Sequence, residues 1–212
     1  MSGEVERVVT PEVPESIAVI ESSTIHEGVA TIDAMVKAAR VEILTASPIP
    51  PGRFLIVVAG AVADVEVAFH RGLELTLAPY DRLFLPEVAP AVIAAVRALA
   101  VGIQTPPAAA VDSLGLFETN SVSAALDAAD RGVKGSAVRL LHLHVARGIA
   151  GKSIGLFEGR QDAVEAALEL ARERADQHGG WIGSTLLARP DEAVARRLAQ
   201  NPWGFLLGQE VL

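Results

Sequence analysis

Apolar positions along this chain follow two rhythms: short apolar runs suited to buried strands, and stripes at helical spacing. In the second half, residues 113–118 form a short apolar run that reads as a strand. Asn120 or Ser121 then caps a helix in which Val122, Ala125, Leu126 and Ala129 recur at helical spacing. Residues 138–144 alternate apolar positions with Arg139 and His142, a strand pattern, and a third apolar run follows at 153–157. Residues 161–178 carry Ala163, Ala166, Ala167, Leu170 and Ala171 on one helical stripe, which Gly179 and Gly180 end. Residues 181–188 read as a fourth strand, and Pro190, whose fixed φ suits a first turn, opens a last helix through Leu198. The first half predicts the same order, with strands near 16–21, 41–47, 53–60 and 82–85 and helices near 24–39, 62–77 and 90–99.

The two halves also share residues. Ser-Ile-Ala-Val-Ile-Glu from Ser16 returns as Ser-Leu-Gly-Leu-Phe-Glu from Ser113, a shift of 113 − 16 = 97. At that shift Asp33 meets Asp130, Val36 meets Val133, Lys37 meets Lys134, Val41 meets Val138 and Leu44 meets Leu141. A one-residue slip in a loop then sets Ile56 over Ile154 and Asp64 over Asp162. The reading is a tandem duplication of a βαββαβα domain, an α+β sandwich of ferredoxin-like type with an antiparallel sheet covered by helices. The boundaries fall at an N-terminal tail 1–15, a first domain 16–100, a linker 101–112, a second domain 113–200 and a C-terminal tail 201–212. The linker holds Pro106-Pro107 and a run of alanines, with little helical or strand commitment. Duplication favours pseudosymmetry, which serves assembly.

Composition narrows the class. Half of the residues are apolar, which is high for two domains of fewer than a hundred residues each. A large subunit interface is the sink this implies, because obligate interfaces resemble a core cut in half. A net charge of −8 argues against a general nucleic-acid or membrane-surface role, where phosphates demand clustered Lys and Arg. The chain has no cysteine, which removes disulfides, thiolate nucleophiles and cysteine-ligated iron–sulfur clusters. No apolar run approaches the length of a bilayer span, and residues 1–14 are acidic and broken by proline, unlike a signal peptide. The compartment expected is the cytoplasm.

Several segments, in order, resemble a bacterial microcompartment shell domain. They are Gly115-Leu116-Phe117-Glu118-Thr119, Ala124-Ala125-Leu126-Asp127-Ala128-Ala129-Asp130, Val133-Lys134, the stretch from Gly159-Arg160-Gln161-Asp162 to Ala167, and Ala188-Arg189-Pro190-Asp191-Glu192. The first half matches through Val19-Ile20-Glu21, the run from Ile32 to Ala39, and Val41-Glu42, and less clearly after Gly60. Two such domains in the usual strand order resemble the tandem-domain, non-permuted shell proteins. The resemblance implies a homotrimer of pseudohexameric outline that tiles a polyhedral shell with hexameric and pentameric partners around encapsulated enzymes. It also implies a pore on the threefold axis for small metabolites. No cofactor is expected, because an iron–sulfur cluster like those in some tandem relatives needs cysteines that neither loop has.

In that family the loops between the second and third strands line the pore. Here they comprise Ile49, Pro50, Pro51 and Gly52 in the first copy, and Arg147, Gly148, Ile149, Ala150 and Gly151 in the second. Proline lacks an N–H, so Pro50 and Pro51 stiffen the rim and remove donors. Arg147 and Lys152, with Arg53 opposite, are candidates for positive charge at the mouth, or for salt bridges within a face. The resemblance places Lys37, Lys134 and Arg189 at the tile edge. A long apolar stem with a charged tip suits packing against a neighbour. The first copy has Val88 and Ala89 before Pro90, without the arginine, which implies unequal edges.

The remaining chemistry is bland. His142 and His144 share one side of a strand, but no third ligand accompanies them and a structural role is the better reading. His26, His70 and His178 read as isolated and exposed, and Asp33 and Asp130 as surface or interface partners of lysine. The loop at 148–151 is no phosphate loop, because Lys152-Ser153 open a strand rather than a helix. Trp203, in an apolar C-terminal segment, is expected to dock on its own or a neighbouring domain. An enzyme or ligand-sensing module with a cleft between the copies is the alternative. It needs a nucleophile, a base and an orienting group that converge, and no such set recurs.

Overall fold

A computed structural model of the chain describes residues 14–101 and 111–199. The N-terminal tail to residue 13, most of the expected linker, and the segment carrying Trp203 lie outside the described residues. The first domain comprises β1 (Ser16–Ser22), α1 (Ile25–Ala38), β2 (Glu42–Ile49), β3 (Arg53–Gly60), α2 (Val62–Leu75), β4 (Pro79–Leu85) and α3 (Pro90–Val101). The second repeats the order with β5 (Ser113–Thr119), α4 (Val122–Gly135), β6 (Arg139–Val145), β7 (Ser153–Gly159), α5 (Gln161–Gln177), β8 (Trp181–Ala188) and α6 (Glu192–Ala199). The two sheets run β2-β3-β1-β4 and β6-β7-β5-β8, antiparallel throughout.

The central strands are apolar on both faces because helices cover both. Ala18, Ile20, Ile56 and Val58 pack with Met35 of α1 and with Val65 and Ala68 of α2. Ile17, Val19, Leu55 and Val57 share the other core with Val92, Ile93 and Val96 of α3. That explains why β1 and β3 read as continuous apolar runs rather than alternating ones. The second core is continuous with the first domain's α3 side, through Phe117, Leu126, Leu143 and Phe157 into the second domain. The two domains therefore share apolar packing.

Strand pairing corrects the alignment of the copies. Ser16 pairs with Gly60 and Ser113 with Gly159, so the third strands correspond at 159 − 60 = 99. The second strands keep the shift of 97, since Thr45 faces Val57 and His142 faces Leu156. The β6–β7 loop is thus two residues longer than the β2–β3 loop, not one. Ile56 over Ile154 and Asp64 over Asp162 are coincidences of identity one residue off the pairing. β4 also starts at Pro79, earlier than expected, and α2 ends at Leu75.

Helix α5 lies close on β5. A Cβ placed on Gly115 would stand 2.5 Å from Val164 Cγ1 and 3.2 Å from Leu168, so glycine here sets the helix-to-sheet distance. Gly115→Ala should cost about 1–3 kcal/mol by overpacking. Urea unfolding measures this as a lower midpoint; an unchanged midpoint would show that α5 can move out freely.

Candidate functional site: the domain seam and the loop rim

Helix α4 is the centre of the site. Residues 122–130 are all buried, although Asp127 and Asp130 are among them. Helix α5 covers one side, and β1 and β4 of the first domain cover another. A helix start buried in this way needs acceptors for its free N–H groups. The Ser121 hydroxyl accepts from Ala124 N at 3.1 Å and donates to Asp81 Oδ2 at 2.5 Å. From the end of β1, Glu21 Oε1 accepts from Val122 N at 2.8 Å and Ser123 N at 3.0 Å. A carboxylate of one domain thus caps a helix of the other, where the helix dipole favours negative charge.

Glu21 is wholly buried and needs a counter-ion. Arg53, at the start of β3, supplies it: its guanidinium pairs with Glu21 Oε2 at 2.9 Å and lies 3.8 Å over the Tyr80 ring. Burial pushes the Glu21 carboxyl up to about 6, against the opposing pull of the Ser123 N–H and the Arg53 charge. The second arm of Arg53 donates to the Gly151 carbonyl at 3.0 Å. That bond draws the β2–β3 and β6–β7 loops together.

A second polar cluster locks the same seam. His178, directly after α5, meets Asp81 Oδ1 through Nδ1 at 3.0 Å and Asp127 Oδ2 through Nε2 at 3.2 Å. Arg174 Nε donates to Asp127 Oδ1 at 3.0 Å. Hydrogen bonds to Asp127 and Asp81 raise the His178 pKa to about 9. Burial pushes Asp127 up, but hydrogen bonds from His178 and Arg174 outweigh it and hold the carboxyl below its usual range. The expectation that His178 is isolated and exposed is wrong: its partners lie far away in sequence, and folding brings them together.

The loop rim differs from expectation in several residues. Pro50, Pro51 and Gly52 are exposed, with Gly52 at φ 100° and its N–H bonded to the Ile49 carbonyl at 3.0 Å. Ile49 is not a rim side chain; it is buried in the core. In the longer loop Arg147, Gly148 and Ala150 are exposed, Ile149 is half-buried, and Gly151 is buried beneath Arg53. Bonds from Ala146 N to Lys152 O at 2.8 Å and from Lys152 N to Ile149 O at 3.1 Å close that loop. Arg53 is a buried structural cation; Lys152 and Arg147 are both exposed, and Lys152 is drawn to Glu118 at 2.9 Å.

His142 and His144 lie under the rim with ring centroids 6.2 Å apart. His144 Nε2 bonds the Arg147 carbonyl at 2.6 Å. Burial, with repulsion from His144, lowers His142 to about 4, and burial lowers His144 as well. Among the described residues no group of three metal-ligating side chains forms.

The matched lysines occupy different settings. Lys134 pairs with Asp130 at 2.7 Å and donates to the Glu87 carbonyl, while Asp130 Oδ1 accepts from Ala89 N at 2.6 Å. These contacts tie α4 to the approach of α3 inside one chain. Lys37 pairs with Asp33 at 2.5 Å in the open. Arg189 is exposed, at φ 47°, with its N–H on the Asp112 carbonyl at 2.7 Å.

The seam has an uncovered double. Val122 and Leu126 of α4 are fully buried, whereas their equivalents Ile25 and Val29 of α1 are 43% and 53% exposed. Leu140 of β6 is buried and its equivalent Ile43 of β2 is 48% exposed. Leu85 and Leu187 pair with Ile17 and Leu114, so α3 and α6 correspond at 187 − 85 = 102. Val92 is fully buried and its equivalent Val194 is 45% exposed. Each domain carries the same flanks, and the chain covers one set of them. Ser121 is the cap, one of the two candidates the sequence offered, with its hydroxyl on Ala124 N. Sequence reasoning assigned no seam role to Glu21, Asp81 or Asp127. The recurrence of Glu21 as Glu118 at the end of each first strand was the available signal.

Comparison with known proteins fits this architecture. Residues 16–88 and 113–190 each match the family described as BMC domain. The chain is 33% identical over 191 residues to the bacterial microcompartment shell protein PduT of Citrobacter freundii, covering 88% of this chain and 99% of that protein. The crystal structure of a microcompartment protein from Desulfitobacterium hafniense superposes with a TM-score of 0.75 at 30% identity, covering 86% of this chain and 99% of that one. A fused permuted hexameric shell protein from the RMM microcompartment shares the fold, with a TM-score of 0.51 at 14% identity over 78% of this chain and 86% of that one.

The His178 cluster generates a pH prediction. A histidine raised from 6.5 to about 9 binds its proton more tightly in the folded state. Its contribution is therefore complete below pH 6.5 and is lost as pH rises towards 9. Glu21 and His142 titrate in the folded protein below this window. Denaturant midpoints between pH 6.5 and 9 should fall for the parent and flatten for His178→Gln. Parallel slopes would place His178 outside the seam's energetics.

Proposed function

The chain belongs to the bacterial microcompartment shell proteins with two BMC domains, and we propose that three copies close into a pseudohexameric tile with a pore on the threefold axis. The family is structural rather than enzymatic, which sets aside the enzyme module considered from sequence. The observation that carries the proposal is the filled seam beside its open double. Ile25, Val29 and Ile43 on one flank and Val194 on the other are exposed, while their counterparts on α4, β6 and α3 are buried inside the chain. Head-to-tail contact repeats the internal seam between chains. A heterologous contact of this kind closes a ring when its rotation divides a full turn. Six domains, two from each chain, then alternate round the axis.

In that ring the two loops alternate at the centre, already joined in pairs by Arg53 and Gly151. The rim is Pro50, Pro51 and Gly52 against Arg147, Gly148, Ile149 and Ala150. Three Arg147 side chains form a ring of positive charge that concentrates small anionic metabolites. Lys37 and Arg189 face outward at the tile edge, where hexameric and pentameric shell proteins of a cytoplasmic microcompartment meet it. Lys134 serves the edge through its exposed tip and the domain seam through Asp130 and Glu87.

Light scattering should give a trimer at micromolar concentration, and electron microscopy should show hexagonal sheets. A stable monomer would refute the ring. Lys37→Asp should leave the trimer intact but raise the concentration needed for sheets by roughly tenfold, the scale of one lost charged hydrogen bond. Sheets forming as readily as in the parent would remove Lys37 from the edge.

Flux through reconstituted shells tests the pore. A small carboxylate should pass roughly tenfold faster than an amine of similar size at low salt. Arg147→Ala should erase that difference and added salt should reduce it. Equal permeabilities in the parent would leave the loop as lining without charge selectivity.

A further inference from the structure

The open seam keeps one polar pair of the filled one. Glu118 stands at the end of β5 where Glu21 stands at the end of β1. Ser22 pairs with Phe54 and Thr119 with Ser153, so Lys152 occupies the station of Arg53. Both pairs form the same bridge, Arg53 to Glu21 at 2.9 Å and Lys152 to Glu118 at 2.9 Å. They differ in what surrounds them. The Glu21 and Arg53 side chains are 0% and 7% exposed, those of Glu118 and Lys152 31% and 48%. The α1 start that corresponds to the α4 start has no side-chain cap, and the Thr24 hydroxyl donates to Glu27 at 3.1 Å.

Resting on the proposed ring, we infer that Glu118 and Lys152 are the polar lock that closes each chain-to-chain seam. Glu118 of one copy accepts from the backbone N–H groups of Ile25 and His26 of the next, as Glu21 does from Val122 and Ser123. Lys152 balances that carboxylate and reaches the Gly52 carbonyl of the next copy, as Arg53 reaches Gly151. The partner is a second copy of this chain, because the template for the contact is the chain's own seam and the apolar surfaces around it match. Lys152 is accordingly a seam residue rather than a cation of the pore mouth. The chain-to-chain lock holds a lysine where the internal one holds an arginine. A point charge on a flexible stem keeps fewer donors in fixed directions than a planar fork.

The experiment is a dilution series of the full chain by light scattering, with amide hydrogen exchange at Ile25 and His26. Glu118→Ala should raise the concentration of half-dissociation at least about tenfold, because every seam loses hydrogen bonds to a charged acceptor. The same variant should deprotect the Ile25 and His26 amides while circular dichroism stays as in the parent. Lys152→Glu, which sets like charges side by side, should break the trimer as well. Lys152→Arg, the side chain of the filled seam, should keep it. A trimeric parent whose dissociation and Ile25 and His26 exchange are unchanged by Glu118→Ala and Lys152→Glu would overturn the inference and leave the ring standing. A parent that is itself monomeric would overturn the ring and the inference together.

Discussion

Helix α4 is buried along most of its length, and its own domain supplies only part of that cover. Burying its apolar flank also buries the helix start, whose N–H groups then need an acceptor that water cannot provide. Glu21 meets that need from the other domain, and its burial in turn requires Arg53. Arg53 has further donors to satisfy, and one finds the Gly151 carbonyl. A hydrophobic requirement at the domain seam thus ends by fixing where the two loops meet. Breaking this chain of contacts at Glu21 or Arg53 would leave a buried charge without its partner, a larger loss than the pair contributes when intact.

The two copies have diverged in how they treat that flank. Asp81 faces Glu21 across β1 and β4, and the corresponding partner of Glu118 is Gly183. Asp127 corresponds to Ala30, so the acids that hold His178 are absent from the open seam. Domains on one chain meet at high effective concentration and need little added affinity. Buried polar contacts add orientation there, because they are satisfied in one arrangement only. The open flank keeps apolar side chains and one ion pair, as would suit the proposed ring, in which it first exists in water and is then covered. Lys134 and Lys37 show the same division: one is bound into the chain's own seam, the other holds only an exposed aspartate.

Much of the fold was legible in the sequence because its signals are local. Strands β1, β3, β5 and β7 announced themselves as apolar runs, and α5 by a small-residue stripe ended by two glycines. Pairing information is not local, and there the sequence misled. Isoleucine and aspartate happen to coincide one residue off the true register, which hides a two-residue extension of the β6–β7 loop. His178 looks isolated because Asp127 and Asp81 lie 51 and 97 residues away. Ile49 neighbours the rim prolines in sequence, but it is the last residue of β2 and is buried in the core. Glu118 and Lys152 were visible as residues; their partnership depends on a strand register that the chain does not print.

A shortage of free donors also shapes the rim of the proposed ring. Pro50 and Pro51 have no N–H, and that of Gly52 is bonded within its own turn. The first loop therefore offers an anion almost nothing. Arg53, the basic residue beside it, is consumed by Glu21 and Gly151. His142 and His144, just beneath the longer loop, are held neutral near pH 7 by their burial and add no charge. Selectivity in such a ring falls on alternate loops only, through Arg147 and the backbone beside it. A hexamer of identical domains would repeat its chemistry six times round the axis. In the proposed ring the tandem chain would separate the tasks, with one loop lacking donors and the other charged, and the bond between Arg53 and Gly151 would hold the two in register.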